Sequence, residues 1–272
     1  MNPQNSTALY KLKSLRRLVT MRTFKKLIKD ELTDYKILLR NIPSLTISFF
    51  ILSVVSANLM ANKELINYKY LALDCGFAFS WIMFLCMDVI CKRWGAKASV
   101  KVSILALVIN LVVFASFNLL AKAPGMWGAY YDTNLIEVNT ALNNTVGGSW
   151  YIVFGSAAAF LISSFVNAIT NKSIGAMMKK DNFTSFAIRS YVSTMIAQFV
   201  DNFDFAFLVS RVFFGWTWTQ IIFCSLIGAV CELLCEVLFS GFGYRVVCKW
   251  EEENVGKEYF DFLEEKREKK VN

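Results

Sequence analysis

The sequence contains no histidine. This absence excludes Ser-His-Asp and Cys-His nucleophiles and every histidine-ligated metal site. The chain also lacks the G-x-x-x-x-G-K-[ST] and G-x-G-x-x-G motifs, which argues against an NTPase or a dinucleotide enzyme. Its seven cysteines include no C-x-x-C pair, and we interpret them as small buried apolar residues. We therefore expect no cofactor and no metal site.

Charge is scarce as well. Charged residues make up 18% of the 272 residues, whereas about 25% is typical of a soluble domain. Apolar residues reach 56%, against about 45–50% in an average chain, and the mean hydropathy is +0.43. A soluble domain of this length could not bury so much apolar surface, so the composition predicts a membrane protein. It also excludes disordered and disulfide-scaffold proteins.

Six apolar runs are long enough to cross a membrane, which takes about 20 residues in a helix. The sequence therefore predicts an all-α polytopic membrane protein with six transmembrane helices. No run alternates with a period of two, so we expect no strands. The longest link, 122–148, is predicted to be an ordered external loop or a short re-entrant segment. The runs are 42–62, 70–90, 102–121, 150–170, 190–210 and 217–244.

Lysine and arginine residues predict the orientation. The two termini and the links 91–101 and 171–189 together hold 25 of them, and the opposite side holds four. Because cytoplasmic segments are enriched in these residues, both termini are predicted to be cytoplasmic in a multi-pass protein of the cell inner membrane. This asymmetry also accounts for the net charge of +8, so we expect no nucleic-acid partner.

Three regions follow from this pattern. Residues 1–40 are predicted to be a cytoplasmic basic amphipathic segment that lies on the anionic inner leaflet, with a solvated helix as the alternative. Residues 41–248 form the six-helix transmembrane domain, and residues 249–272 form a charged cytoplasmic tail.

Several ionisable residues fall inside the predicted spans, where they are costly and often functional. Asp201 lies near the middle of the fifth run and Glu232 near the middle of the sixth. Gln198 shares a helical face with Asp201, and Glu236 shares one with Glu232. Two polar stripes at matching depth predict that these helices face one cavity. The alternative is hydrogen bonding between helices without a ligand.

Further residues recur along the spans in a characteristic order. They are Ser56-Ala57-Asn58, Gly76-Phe77-Ala78-Phe79-Ser80, Asp88-Val89-Ile90, Trp94-Gly95, Gly155 to Phe160, Ser193-Thr194, Gln198, Asp201 and Phe205. In order and spacing these residues resemble the VUT family, the queuosine-precursor transporters of bacteria. The resemblance covers about 50–245, nearly the whole membrane part.

The resemblance implies a six-helix importer of deazaguanine bases. It places Asn58, Asp88, Gln198 and Asp201 at polar positions of the family pattern, and Glu236 looks similar to an acid of the last span. Asp88 also lies one helical turn before Lys92, so an ion pair is an equal alternative there. The chain departs from the pattern at two positions, since Lys92 stands where many members have Glu and Glu232 stands about where some members have Lys. The substrate-binding candidates are Asn58, Asp88, Gln198, Asp201, Glu232 and Glu236.

We therefore expect a membrane transporter for a small flat heterocycle, with proton coupling left open. Carboxylates suit such a ligand, because a guanine-like edge offers adjacent N–H donors that a carboxylate accepts. One alternative is a substrate-binding subunit of an ATPase-driven vitamin importer. A membrane enzyme that uses paired carboxylates is less favoured, since no nucleophile motif accompanies them, and we expect no enzyme. The expected partners are the small-molecule substrate and the lipid bilayer, and a homo-oligomer is left open.

Overall fold

The computed structural model describes residues 28–148, 150–178 and 183–271, which are mainly helical. The chain forms two compact units. Of the described residues, 28–42 and 256–271 belong to one unit, and those between 43 and 255 belong to the larger one. The helices are α1 Ile28–Asn41, α2 Ser44–Met60, α3 Phe77–Trp94, α4 Ala96–Ala121, α5 Gly128–Thr133, α6 Ile136–Gly147, α7 Trp150–Met177, α8 Phe183–Phe205, α9 Arg211–Phe213, α10 Trp218–Glu252 and α11 Lys257–Val271.

Long helices build the larger unit. Helix α7 packs against α4 and α8, and α10 packs against α3 and α8. A π-helical turn, Ala206–Ser210, continues α8 into α9. Helix α10 then begins at a capping box, in which Thr217 and Gln220 exchange side-chain and backbone hydrogen bonds.

Each of the six apolar runs contains a helix of the larger unit. Four helical stretches are long and apolar enough to cross a membrane: α4, α6 together with α7, α8 continued through α9, and the first half of α10, Trp218–Cys235. A fifth candidate is formed by α1 and α2 taken together as one broken span. Helix α3 is less apolar, because Asp88, Lys92 and Arg93 lie within its 18 residues. The prediction of an all-α membrane protein is confirmed at this level, with four to five candidate spans instead of an established six.

The expectation that the chain has no strands is wrong between α2 and α3. Residues Glu64–Asn67 (β1) and Ala72–Asp74 (β2) pair as an antiparallel hairpin, with Glu64 opposite Asp74. The second apolar run therefore becomes helical only at Phe77, not at residue 70. Strands of four and three residues are too short to display a period of two, which is why hydropathy did not indicate them.

The hairpin is packed onto the start of α10. Ala72 and Leu73 share a buried apolar cluster with Trp216, Ile221 and other residues of that region. The Trp216 indole N–H donates to Glu64 Oε1 at 2.8 Å, and the side-chain amide of Gln220 donates to the hairpin turn. These contacts hold the hairpin over one end of the helix bundle.

The link 122–148 is ordered, as predicted, and contains the helices α5 and α6. Asn118 near the end of α4 donates a hydrogen bond to the carbonyl of Gly147. The backbone N–H of Trp127 donates to Asn139 Oδ1 at 2.8 Å. The location of this link outside the cell stays a prediction.

The smaller unit joins α1 to the charged tail. Asp34 of α1 is buried and accepts hydrogen bonds from Tyr259 Oη at 3.2 Å and Lys266 Nζ at 2.9 Å of α11. Asn41 donates to Glu258 at 3.2 Å. Much of the predicted charged tail therefore forms the helix α11, which packs against α1. Most of the predicted amphipathic segment, residues 1–27, lies outside the described residues.

Candidate functional site

A small cavity of about 50 Å³ lies inside the larger unit. Sites for small molecules usually measure about 300–1,000 Å³, so the surrounding helices must move apart before this cavity can hold an organic ligand. Its walls come from the end of α2, the start of α3, the first turns of α7, the end of α8 and the middle of α10, and Asp74 at the end of β2 adds to them. The ends of α2 and α8 and the starts of α3 and α7 lie at the side of the bundle that carries the hairpin. The cavity therefore lies in that half of the bundle.

Glu232 is the most deeply placed carboxylate of this cavity. Its side chain is 1% exposed. Oε1 accepts a hydrogen bond from the hydroxyl of Ser80 on α3, and Oε2 accepts one from Asn202 Nδ2 on α8 at 3.1 Å. Gly228, one helical turn earlier, is closely approached by Asn202, and a Cβ added there would lie 3.0 Å from its Nδ2. The carboxylate therefore joins three helices at one wall.

Asp201 and Asp74 are the other two carboxylates in the cavity wall. Asp201 Oδ1 accepts from Ser163 Oγ at 2.6 Å, and Asp74 Oδ1 accepts from the backbone N–H of Gly76 at 2.7 Å. Among the described residues, no hydrogen-bond donor reaches the Oδ2 atom of either aspartate. Each therefore keeps an oxygen that can accept a donor from a ligand.

The charged residues that line the cavity are all acidic. Asp74, Asp201 and Glu232 are close enough to repel one another, and the lining contains no lysine or arginine. Isolated negative charges are expensive inside a membrane protein unless they are paired or protonated. Of the described residues, no three of His, Cys, Asp or Glu are placed to hold a metal ion. The arrangement therefore suits an organic ligand that brings hydrogen-bond donors or positive charge.

An amide and three aromatic rings complete the walls. Asn58 of α2 lines the cavity, accepts a hydrogen bond from Ser156 and donates to the Val54 carbonyl at 3.1 Å. The aromatic residues at the cavity surface are Phe77, Phe160 and Phe205. Such rings offer apolar surface on which a flat ligand can stack.

Three of the six predicted site residues, Asn58, Asp201 and Glu232, meet at this cavity. Gln198 lies one turn before Asp201 on α8 but does not line the cavity. Gln198 is fully buried, and neither its Oε1 nor its Nε2 has a hydrogen-bond partner among the described residues. The side chain of Glu236 lies outside the described part of the structure.

Asp88, also a predicted substrate-binding residue, does not line the cavity. It belongs to a second polar cluster. Its Oδ1 accepts from Asn167 at 3.2 Å and Asn171 at 3.1 Å, and its Oδ2 accepts from Ser190 and from Thr194 at 3.0 Å. The residue is 1% exposed. We call these five residues the Asp88 cluster.

Sequence reasoning left Ser80, Ser156 and Asn202 out of the site and gave Asp74 no role. Hydroxyls and amides in apolar helices are too common to be distinguished without their partners. Asp74 did leave a local signal, because an aspartate two residues before a glycine is typical of an Asx-type turn, the geometry that its bond to the Gly76 N–H shows.

Apolar helices that enclose a polar cavity are compatible with a membrane transporter of small molecules, and the family comparison gives this class. Residues 74–246 match the family model described as "Putative vitamin uptake transporter". This match covers more than half of the chain, so the protein belongs to that family of membrane transporters. No curated protein and no solved structure matches the chain.

Proposed function

We propose that the protein imports a small flat heterocycle, and specifically a deazaguanine base that serves as a precursor of queuosine. The observation that carries the proposal is the Asp201 carboxylate, which lines the cavity with one oxygen free of donors. A guanine-like edge presents adjacent N–H groups, and a carboxylate accepts such donors with strong hydrogen bonds. The resemblance to the VUT family supports this choice of base.

The other groups that line the cavity have chemistry that suits the same ligand. Asn58 and Asn202 supply amide groups that can bond the polar edges of a base, and the phenylalanine rings can stack on its face. A base that bears an aminomethyl group would be cationic and would balance the three carboxylates. We propose Asn58, Asp201 and Glu232 as ligand contacts, with Gln198 and Glu236 as further candidates on the same two helices.

We also propose six transmembrane helices with both termini in the cytoplasm. The hairpin and the cavity half then face the outside, and the cation-rich ends of α3 and α4 face the cytoplasm. This orientation is the one that the asymmetry of lysine and arginine predicts. Under it, a ligand enters the cavity from the hairpin side.

A transport assay tests the proposal. The protein, purified and reconstituted without any other subunit, is given a radiolabelled deazaguanine base, and unlabelled deazaguanines, purines and vitamins are added as competitors. We expect saturable uptake that the deazaguanines block at the lowest concentrations. If a vitamin blocks uptake at lower concentrations than the deazaguanines do, the proposed substrate is wrong and that vitamin takes its place. Uptake only after an ATPase module is added would favour the ATPase-driven importer.

A further inference from the structure

The Asp88 cluster lies in the half of the bundle opposite the cavity. Ser80 lines the cavity, and Asp88 follows it by eight residues, about 12 Å along the axis of α3. On α7 the cluster residues Asn167 and Asn171 come after the cavity residue Phe160, and on α8 Thr194 comes before Asp201. All three helices therefore place the cavity at one depth and the cluster at another.

The Asp88 cluster is closed to solvent. Every member of the cluster is at most 2% exposed. Asp88 receives at least four side-chain donors, which occupy the roughly four acceptor positions of a carboxylate. A ligand could bond Asp88 only by displacing one of these partners. The cluster thus has the character of a closed contact between α3, α7 and α8 more than of an open binding surface.

Gln198 lies between the two sites on α8. It is one turn after Thr194 of the cluster and one turn before Asp201 of the cavity, and its buried amide has no partner among the described residues. A buried amide without partners is unfavourable. It is expected to gain partners in another arrangement of the same helices or when a ligand passes.

From these observations we propose that the Asp88 cluster is the gate that closes the transport path on the side opposite the cavity. The proposal rests on the proposed function, because it assumes that a ligand crosses the bundle. Opening the path must separate α3 from α7 and α8, and this breaks the hydrogen bonds to Asp88. In this role Asp88 is a gate residue, and the ligand contacts are those of the cavity.

Two native cysteines report on the gate and on the rest of the fold. Cys91 lies one turn after Asp88, is buried, and contacts Asn171 Oδ1 at 3.6 Å. Cys224 is equally buried, but it belongs to the apolar cluster beneath the hairpin. Two single-cysteine versions of the full chain, each with the other six cysteines replaced by serine, therefore separate local opening of the gate from global unfolding.

The experiment measures the rate at which N-ethylmaleimide modifies each cysteine in the reconstituted protein. Asp88→Asn is expected to raise the Cys91 rate by about tenfold or more, the factor that corresponds to losing a hydrogen bond to a charged group. Thr194→Val keeps the side-chain shape, removes one donor and leaves the Asp88 charge in place. Because that charge also acts on the Cys91 thiol, the smaller increase expected in this variant reports opening of the gate without a change of charge. The Cys224 rate should not change in either variant.

Ser103→Ala is the matched control. Its hydroxyl is buried at the same depth and contacts Met87, the residue before Asp88, but it bonds no member of the cluster. It should leave both rates unchanged. A Cys91 rate equal to that of the wild type in Thr194→Val or in Asp88→Asn would overturn the gate, as would equal increases at Cys91 and Cys224. Because the assay uses no substrate, an error in the proposed substrate would show only in the uptake assay.

Discussion

Ser80 on α3 donates its hydroxyl hydrogen to the carboxylate of Glu232 on α10, 152 positions away in the chain. Asn202 on α8 donates to the second oxygen of the same carboxylate. Glu232 is therefore shared by three helices that must move relative to one another if the cavity is to open to both sides in turn. We propose that this carboxylate gains or loses a proton as the helices move.

Glu232→Gln tests whether this carboxylate couples transport to a proton. Glutamine keeps an acceptor oxygen for Ser80 or Asn202 but cannot exchange a proton. We expect the variant to bind the substrate and exchange it across the membrane, yet fail to accumulate it against a gradient. Accumulation and exchange are measured separately in proteoliposomes.

Glu252→Gln is the control for this change, because it alters an exposed glutamate at the end of the same helix. It should retain wild-type accumulation. If Glu232→Gln also accumulates substrate like the wild type, with the same dependence on pH, then Glu232 only joins the helices and the coupling site lies elsewhere.

Gly76→Ala is expected to damage the cavity by steric crowding alone. A Cβ at Gly76 would lie 2.7 Å from the Ala57 carbonyl oxygen and 2.8 Å from Asp74 Oδ1, so backbone must move at the site where Asp74 is held. We expect weaker uptake with the charge of the cavity unchanged. Gly241→Ala serves as the comparison, because nothing lies within 4 Å of its added Cβ.

Alanine is also the better helix former by about 1 kcal/mol, so Gly241→Ala should raise the melting temperature slightly and leave uptake intact. Equal uptake by the two variants would show that the backbone at Gly76 does not shape the site.

Site-directed labelling tests the orientation. In a protein without native cysteines, Tyr131→Cys on α5 should react with a membrane-impermeant maleimide added to intact cells, because the side chain is 72% exposed and is predicted to be external. Lys97→Cys at the start of α4, also exposed, should react only after permeabilisation. The reverse pattern would show that the bundle is inverted.

The smaller unit provides a test that does not depend on transport. Burial lowers the pKa of Lys266, but the hydrogen bond to Asp34 and the charge of Asp34 raise it more, so its pKa lies above the ordinary value. A group with a raised pKa stabilises the folded state below its unfolded pKa and loses this effect as the pH rises through the folded value. The pairing should therefore persist up to about pH 10, the ordinary lysine pKa.

Asp34→Asn should remove this pairing at neutral pH and make α11 more sensitive to limited proteolysis. Glu265→Gln, at an exposed position of α11 that does not contact Asp34, is the control. Unchanged protection of α11 in Asp34→Asn would mean that apolar contacts alone hold this unit together.

The helices were predictable because each needs a continuous apolar stretch, a property that hydropathy measures directly. The hairpin was not, because Glu64–Asn67 and Ala72–Asp74 are too short to show a pattern and are stabilised by distant residues such as Trp216. Asp88 and Asp201 look alike in sequence, since each is an acid within an apolar helix. Their difference lies in their partners: among the described residues at least four side-chain donors bond Asp88, whereas a single one, Ser163, bonds Asp201.

Binding of a radiolabelled deazaguanine base to Asp201→Asn tests the central claim most directly. The matched control is Asp204→Asn, which alters a carboxylate one turn along on α8 that does not line the cavity. Asp201→Asn replaces an acceptor oxygen by an amide donor, so it should lose binding and uptake, whereas Asp204→Asn should bind and transport like the wild type. Retained binding and uptake by Asp201→Asn would contradict the account.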